Sequence, residues 1–274
     1  MELDAKYGHL QQVLRRLGRV VVAYSGGVDS TFLLKAAVDT LGRDNVLAVI
    51  GVSASLAGSQ HAQAVDSAQW IGAKMMEVLL DELADDQYRA NRADRCFHCK
   101  SHLYGRLRQI AQDQGIGQVV CGTNLDDQAD YRPGTRAAQA WAVSSPLVEA
   151  GLTKADIRQL SRQMGLPTAD RPASPCLASR IAYGLEVTEH RLRQVEQAED
   201  FLRSLGLVEF RVRHHDTVAR IEVLPEDLAQ VTAPAIRPQI VEQLRSLGFK
   251  YVSVDLQGYR SGSLNEAILP KPDR

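Results

Sequence analysis

The stretch that most constrains this chain is RVVVAYSGGVDS, residues 19–30. Val20, Val21 and Val22 form a short β-branched run of the kind a buried parallel strand needs. Ser25-Gly26-Gly27 turns the chain. Residues 28–40 then read as a helix whose apolar face carries Phe32, Leu33, Leu34, Ala36 and Ala37. A Gly-rich turn between strand and helix aims unpaired backbone N–H groups at one spot. The helix N-terminus adds partial positive charge there, which suits a phosphate. The Walker pattern GxxxxGK[ST] is absent, because no lysine lies between Val20 and Leu34. GxGxxG is absent as well.

Beyond this loop, strand and helix patterns alternate. Residues 3–18 predict an amphipathic helix with Leu10, Val13, Leu14 and Leu17 on one face. Strands are expected at 45–52, 74–80 and 118–121, and a short fifth at 144–147. Helices are expected at 59–71 and 101–114, and from a cap at Thr153 to about Met164. This order implies a doubly wound α/β fold with a parallel sheet and ligands at the strands' C-terminal ends, where Ser25, Ser53 and Gly122 would stand. The composition changes at 167–186, where three prolines mark a long loop. An α-β-β-α-β run follows: a helix from an N-cap at Thr188 to Leu205, strands at 209–214 and 217–223, a helix at 235–247 and a strand at 251–256. The expected organisation is an α/β domain over 1–170, a linker loop over 171–186, a smaller α+β domain over 187–265 and a tail over 266–274, disordered from Pro270.

The chain has 274 residues and a net charge of −1, from 32 basic and 33 acidic side chains. That balance demands no polyanion and weighs against a nucleic-acid partner. No apolar run reaches membrane-span length, and the N-terminus lacks a signal pattern, so a cytoplasmic protein without membrane association is expected. Its cysteines, Cys96, Cys99, Cys121 and Cys176, should then be reduced.

Cys176 lies in the proline-rich loop with Arg171 and Arg180 near in sequence. Cationic neighbours raise the thiolate fraction, so it is either a nucleophile or an incidental loop cysteine. Arg211 and Arg213 alternate on one strand and share a face. Paired guanidiniums suit a phosphate, and a solvated strand face is the alternative. Asn124, Asp126 and Asp127 follow the fourth strand and can touch ribose, phosphate or metal, or simply face water. Arg132 and Arg136 can meet phosphate or pack at an interface. Trp141 reads as core before ring-stacking surface. Cys121 reads as core. Asp29, beside the phosphate spot, suits Mg²⁺, a hard ion. For Cys96-x-x-Cys99 three readings stay open: a packed pair, ligands with Cys176 of a [4Fe–4S] cluster, or a redox or persulfide relay.

SGGVDS resembles the pyrophosphate loop of the PP-loop ATP pyrophosphatases. Together with DRCFHCK (94–100), GTNLDD (122–127), ADYRPG (129–134), SPCLASRI (174–181) and FRVRHHDTVARIEV (210–223) it resembles the LarE family of ATP-dependent sacrificial sulfur transferases. The resemblance implies ATP at Ser25, Gly26, Gly27, Val28, Asp29, Ser30, Ser53, Gly122 and Asn124. It implies a small-molecule nucleotide substrate met by Arg180, Arg211, Arg213, Glu199 and Glu222, with Glu199 or Glu222 binding metal or orienting the arginines. It implies adenylation of a pyridinium-3,5-dicarboxylate mononucleotide, attack by Cys176 and loss of that cysteine's sulfur, on the way to a nickel-pincer cofactor. A homo-oligomer is also implied. The runner-up is another PP-loop enzyme, a tRNA thiolase or amide-forming ligase, with an iron–sulfur cluster as sulfur carrier in the former.

Overall fold

The computed structural model describes residues 2–128, 133–260 and 262–267. In chain order the elements run α1 (Leu3–Leu17), β1 (Val20–Tyr24), α2 (Val28–Leu41), β2 (Val46–Val52), α3 (Gly58–Ile71), β3 (Lys74–Leu79), α4 (Asp86–Arg89), α5 (Arg95–Asp113) and β4 (Gln118–Cys121). They continue as α6 (Pro133–Ala140), α7 (Pro146–Glu149), α8 (Lys154–Gln163), α9 (Glu189–Ser204), β5 (Phe210–His215), β6 (Val218–Val223), α10 (Leu228–Thr232), α11 (Arg237–Ser246) and β7 (Tyr251–Val254). The chain divides into two compact units: Met1–Glu82 with Cys96–Ser174, and Leu83–Arg95 with Pro175–Arg274.

The first unit is built on a parallel sheet of order β3-β2-β1-β4. β1 is central and apolar on both sides. Val20, Val22 and Tyr24 enter a core with Phe32 and Leu33 of α2, Leu10 and Leu14 of α1, and Ile157 and Leu160 of α8. Val21 and Ala23 meet Tyr104 and Leu107 of α5 and Ala137 of α6 on the other face. Each such side chain contributes roughly 1.5–3 kcal/mol when fully buried, so the run of valines fixes β1 between two helical layers. The doubly wound expectation is borne out. Thr153 caps α8 in a capping box with Asp156.

Two expectations are corrected. No fifth strand forms at 144–147: Ser144 makes a single parallel bridge to Val120, and Pro146, which lacks an N–H, opens α7 instead. The helix expected from 101 starts at Arg95, because RCFHCK contains no breaker, and this puts Cys96 and Cys99 on α5.

The second unit carries a sheet of order β5-β6-β7, with β5 antiparallel and β7 parallel to β6. Thr188 caps α9 as expected, accepting from the Arg191 N–H. Leu202, Val212, Ile221, Val231, Ile240 and Leu244 form the core. α10 was not expected, and β7 stops at Val254. No helix among the described residues is long and apolar enough to cross a membrane.

Candidate active site

In the first unit the Ser25–Ser30 loop is held by its own hydroxyls. Ser25 Oγ lies 3.0 Å from Ser30 Oγ, and Ser30 Oγ donates to the Gly27 carbonyl at 3.1 Å. Gly26 has φ +72°, and a Cβ there would fall 2.5 Å from Ala64 Cβ and 2.8 Å from Ala64 Cα. Glycine is therefore required on two counts. Gly122, just past β4, is pressed against the start of α2: a Cβ would lie 2.8 Å from the Ser30 nitrogen. The end of β4 thus reaches the turn that presents the α2 N-terminus.

Asp29 sits in the first turn of α2. Its Oδ2 accepts from Lys154 Nζ at 2.5 Å, while its Oδ1 is buried without a hydrogen-bond partner. Lys154 opens α8, and its backbone N–H donates to Asp126 Oδ2 at 2.8 Å. Asn124 is buried and exchanges hydrogen bonds with Asp127 in both directions, Asn124 N to Asp127 Oδ2 and Asp127 N to Asn124 Oδ1. Ser53 follows β2, and its Oγ accepts from the Ser55 N–H. An orphaned carboxylate oxygen beside a glycine cradle at a helix N-terminus fits a phosphate-bound Mg²⁺.

In the second unit Cys176 stands, half-buried, immediately before a 3₁₀ turn at Leu177–Arg180. The loop around it has little regular structure, so side chains satisfy its carbonyls. Arg180 Nη1 donates to the carbonyls of Pro175 and Cys176. Arg95 Nη1 donates to Ala178 O at 2.7 Å, and Arg213 Nη1 to Ser179 O at 3.1 Å. Asn91 Nδ2 reaches Ala182 O at 2.9 Å and Leu185 O at 2.8 Å. Asn91 is itself fully buried, at φ 50°.

Behind this loop lies a buried layer of arginines and glutamates. Arg180 and Glu199 form a bidentate pair, Nε to Oε1 at 2.9 Å and Nη2 to Oε2 at 3.0 Å, with Oε1 also accepting from the Val212 N–H. Glu222, fully buried, accepts from Arg213, Arg220 and Ser263. Arg211 lies over the Tyr259 ring at 4.9 Å. Burial, then the Arg180 guanidinium, pulls the Arg211 pKa below its usual value. Positive charge is crowded there, a condition that an anion relieves.

A family model for NAD synthase matches residues 7–176. The chain is 42% identical, over 97% of its length and 99% of the relative's, to an uncharacterized protein of Synechocystis. It is 40% identical, over 97% of its length and 96% of the relative's, to a pyridinium-3,5-bisthiocarboxylic acid mononucleotide synthase of Lactiplantibacillus plantarum. The chain belongs to the LarE family of PP-loop proteins. A tRNA-specific 2-thiouridylase of Azorhizobium caulinodans is a more distant match, 28% identical over 81% of this chain and 68% of that one.

In this LarE-family chain Ser25–Ser30 and Gly122 lie together at the α2 N-terminus, Ser53 bonds Ser55 in the turn after β2, Asn124 bonds Asp127, and Arg180, Arg211, Arg213, Glu199 and Glu222 form one buried layer. The solvated-face alternative for Arg211 and Arg213 fails, since they are only 6% and 5% exposed. Glu199 spends both oxygens on Arg180 and Val212, so the geometry makes it a holder of Arg180. The cluster alternative for Cys96, Cys99 and Cys176 finds no support: among the described residues no three His, Cys, Asp or Glu side chains gather to hold a metal. Cys99 Sγ meets Glu82 Oε1 at 3.3 Å. Cys121 is core as expected, but Trp141 is 39% exposed, because its ring lies along α5 over Gly105, within 3.2 Å of where a Cβ would stand. Arg136 stacks on Phe97, and Arg132 lies outside the described residues. Lys154, Asn91 and Arg95 were missed as contributors. The LTKADI motif signalled only a cap, and the partner of each lies far off in sequence.

Proposed function

We propose that this protein is an ATP-dependent sulfur transferase that adenylates a carboxylate of pyridinium-3,5-dicarboxylate mononucleotide and donates the sulfur of Cys176 to it. The observation that carries this reading is the 40% identity over 97% of the chain to the Lactiplantibacillus synthase. A carboxylate is a poor electrophile until AMP is its leaving group, so adenylation comes first. The Ser25–Ser30 loop holds the departing pyrophosphate on backbone N–H groups. When Mg²⁺ accompanies ATP, Asp29 is the side chain that would hold it, and the ion neutralises phosphate charge. The Cys176 thiolate displaces AMP and forms a thioester. Loss of its α-proton then breaks Cβ–S, leaving the sulfur on the product as a thiocarboxylate and dehydroalanine at position 176. Arg211, among crowded guanidiniums, supports binding of the substrate phosphate. Homo-oligomeric assembly and a cytoplasmic setting belong to the same reading.

Intact mass before and after turnover tests it. The peptide bearing Cys176 is expected to lose about 34 Da, one H₂S. Cys176→Ser is expected to abolish sulfur transfer while ATP–pyrophosphate exchange persists. An unchanged mass with repeated turnover would sink the proposal.

A further inference from the structure

The Cys176 carbonyl oxygen accepts three hydrogen bonds: from the Ser179 N–H at 3.0 Å, from Ser179 Oγ at 2.7 Å and from Arg180 Nη1 at 3.2 Å. The carbonyl that opens a 3₁₀ turn ordinarily needs one donor, from the residue three positions on, and an amide oxygen has two lone pairs. Here a hydroxyl and a guanidinium are added. They are coupled, because Arg180 Nη1 also donates to Ser179 Oγ at 3.0 Å. That polarises the hydroxyl toward the carbonyl. The guanidinium is 2% exposed and fixed by its two bonds to Glu199. Glu199 offsets much of its charge but leaves Nη1–H rigidly aimed at the carbonyl, a charge-assisted donor in a buried setting.

We infer that Ser179 and Arg180 form an oxyanion site for the protein's own backbone, stabilising charge on the Cys176 carbonyl as that residue loses its α-proton. The inference rests on the reading of Cys176 as sulfur donor. A cysteine that only forms a thioester puts developing charge on the substrate. A cysteine that gives up its sulfur must also break its own Cα–H bond, and the conjugate base of that carbon is an enolate whose charge lies on the residue's carbonyl oxygen. The α-proton goes to a general base. The Cα–H electron pair, held on the carbonyl oxygen, returns to make the Cα=Cβ bond. The Cβ–S pair leaves with sulfur as the thiocarboxylate. No oxidant or reductant is needed. Donors fixed before reaction on an atom that becomes charged are the usual source of such stabilisation.

The test is rapid-quench intact-mass analysis of a single turnover with ATP and the dicarboxylate mononucleotide. In Ser179→Ala the covalent Cys176 thioester is expected to accumulate and to convert to dehydroalanine about 100-fold more slowly than in the wild type. Ser179→Thr, which keeps the hydroxyl, is expected to restore the rate. Ser179→Cys, a weaker donor of similar volume, provides an intermediate rate if the alanine variant does not fold. Cysteine deuterated at Cα is expected to slow the conversion further in Ser179→Ala, because proton removal then limits it. Thioester decay at the wild-type rate in a folded Ser179→Ala or Ser179→Cys protein would overturn the inference. Sulfur transfer by Cys176→Ser would instead overturn the reading on which it rests.

Discussion

Gly26 has little freedom to change. Its left-handed backbone disfavours any Cβ, and the space a Cβ would take is filled by Ala64 of α3. Gly26→Ala is expected to cost roughly 2–5 kcal/mol, from strain and overpacking together. A thermal melt should fall by on the order of 10 °C, and ATP–pyrophosphate exchange should be lost; a variant with unchanged melting and exchange would refute the account of this turn. His214 sets a different limit. Burial, followed by the Arg191 charge, lowers its pKa from 6.5 to about 4. Nε2 is paired with Gln194 and Nδ1 is buried without a partner. The folded protein keeps this imidazole neutral, whereas the unfolded chain protonates it near its ordinary value. Its stabilising contribution is thus whole above about pH 6.5 and declines as pH falls toward 4, by up to about 1.4 kcal/mol per pH unit. Urea titrations across that window should show the slope, and His214→Gln should flatten it.

Among the elements, the Leu83–Arg95 segment is the one whose role exceeds its size. It leaves the parallel sheet's unit after β3 and supplies Asn91 and Arg95 to the loop of Cys176. Asn91→Ala removes the donor for three carbonyls, those of Ile181, Ala182 and Leu185, and places alanine at φ 50°. An expected loss of about 3–5 kcal/mol follows from stranded carbonyls and backbone strain; chemical denaturation measures it, and a loss under 1 kcal/mol would mean that water replaces the amide. Nothing local in the sequence announces this. ANRADR has no apolar period, and its partners lie about ninety positions on, at Ala182 and Leu185, where separation hides a pairing from any window-based reading. Elements with strong local signals were legible: the valines of β1, the box at Thr153, the periodicity of α9. The false strand at 144–147 has the opposite cause. Ser144 does pair with Val120, but SSPL has no β-branched residue and Pro146, without an N–H to continue the ladder, opens α7.

For the molecule as a whole, balanced charge is the property that separates its two nearest chemistries. With 32 basic and 33 acidic side chains, the chain carries no net excess of cations to draw it to a phosphate backbone over a distance. Gel-shift titration with bulk tRNA at low salt is expected to detect no binding, and a complex that weakens steeply with added salt would favour the thiouridylase-like alternative. The glycine turn of the first unit was readable because Ser25–Ser30 are contiguous and Ser53 and Gly122 stand at strand ends. The arginine–glutamate layer was readable as a set of residues but not as a layer, since β5 is buried on both faces, one apolar and one ionic. The second unit is also not a continuous length of chain. Cutting before Pro175 would yield a fragment whose Ala182 and Leu185 carbonyls have lost their amide, so it should fold poorly when expressed alone. Adding a synthetic peptide spanning 83–95 is the complementation that would mend it, which makes this protein a natural candidate for splitting into interlocking pieces.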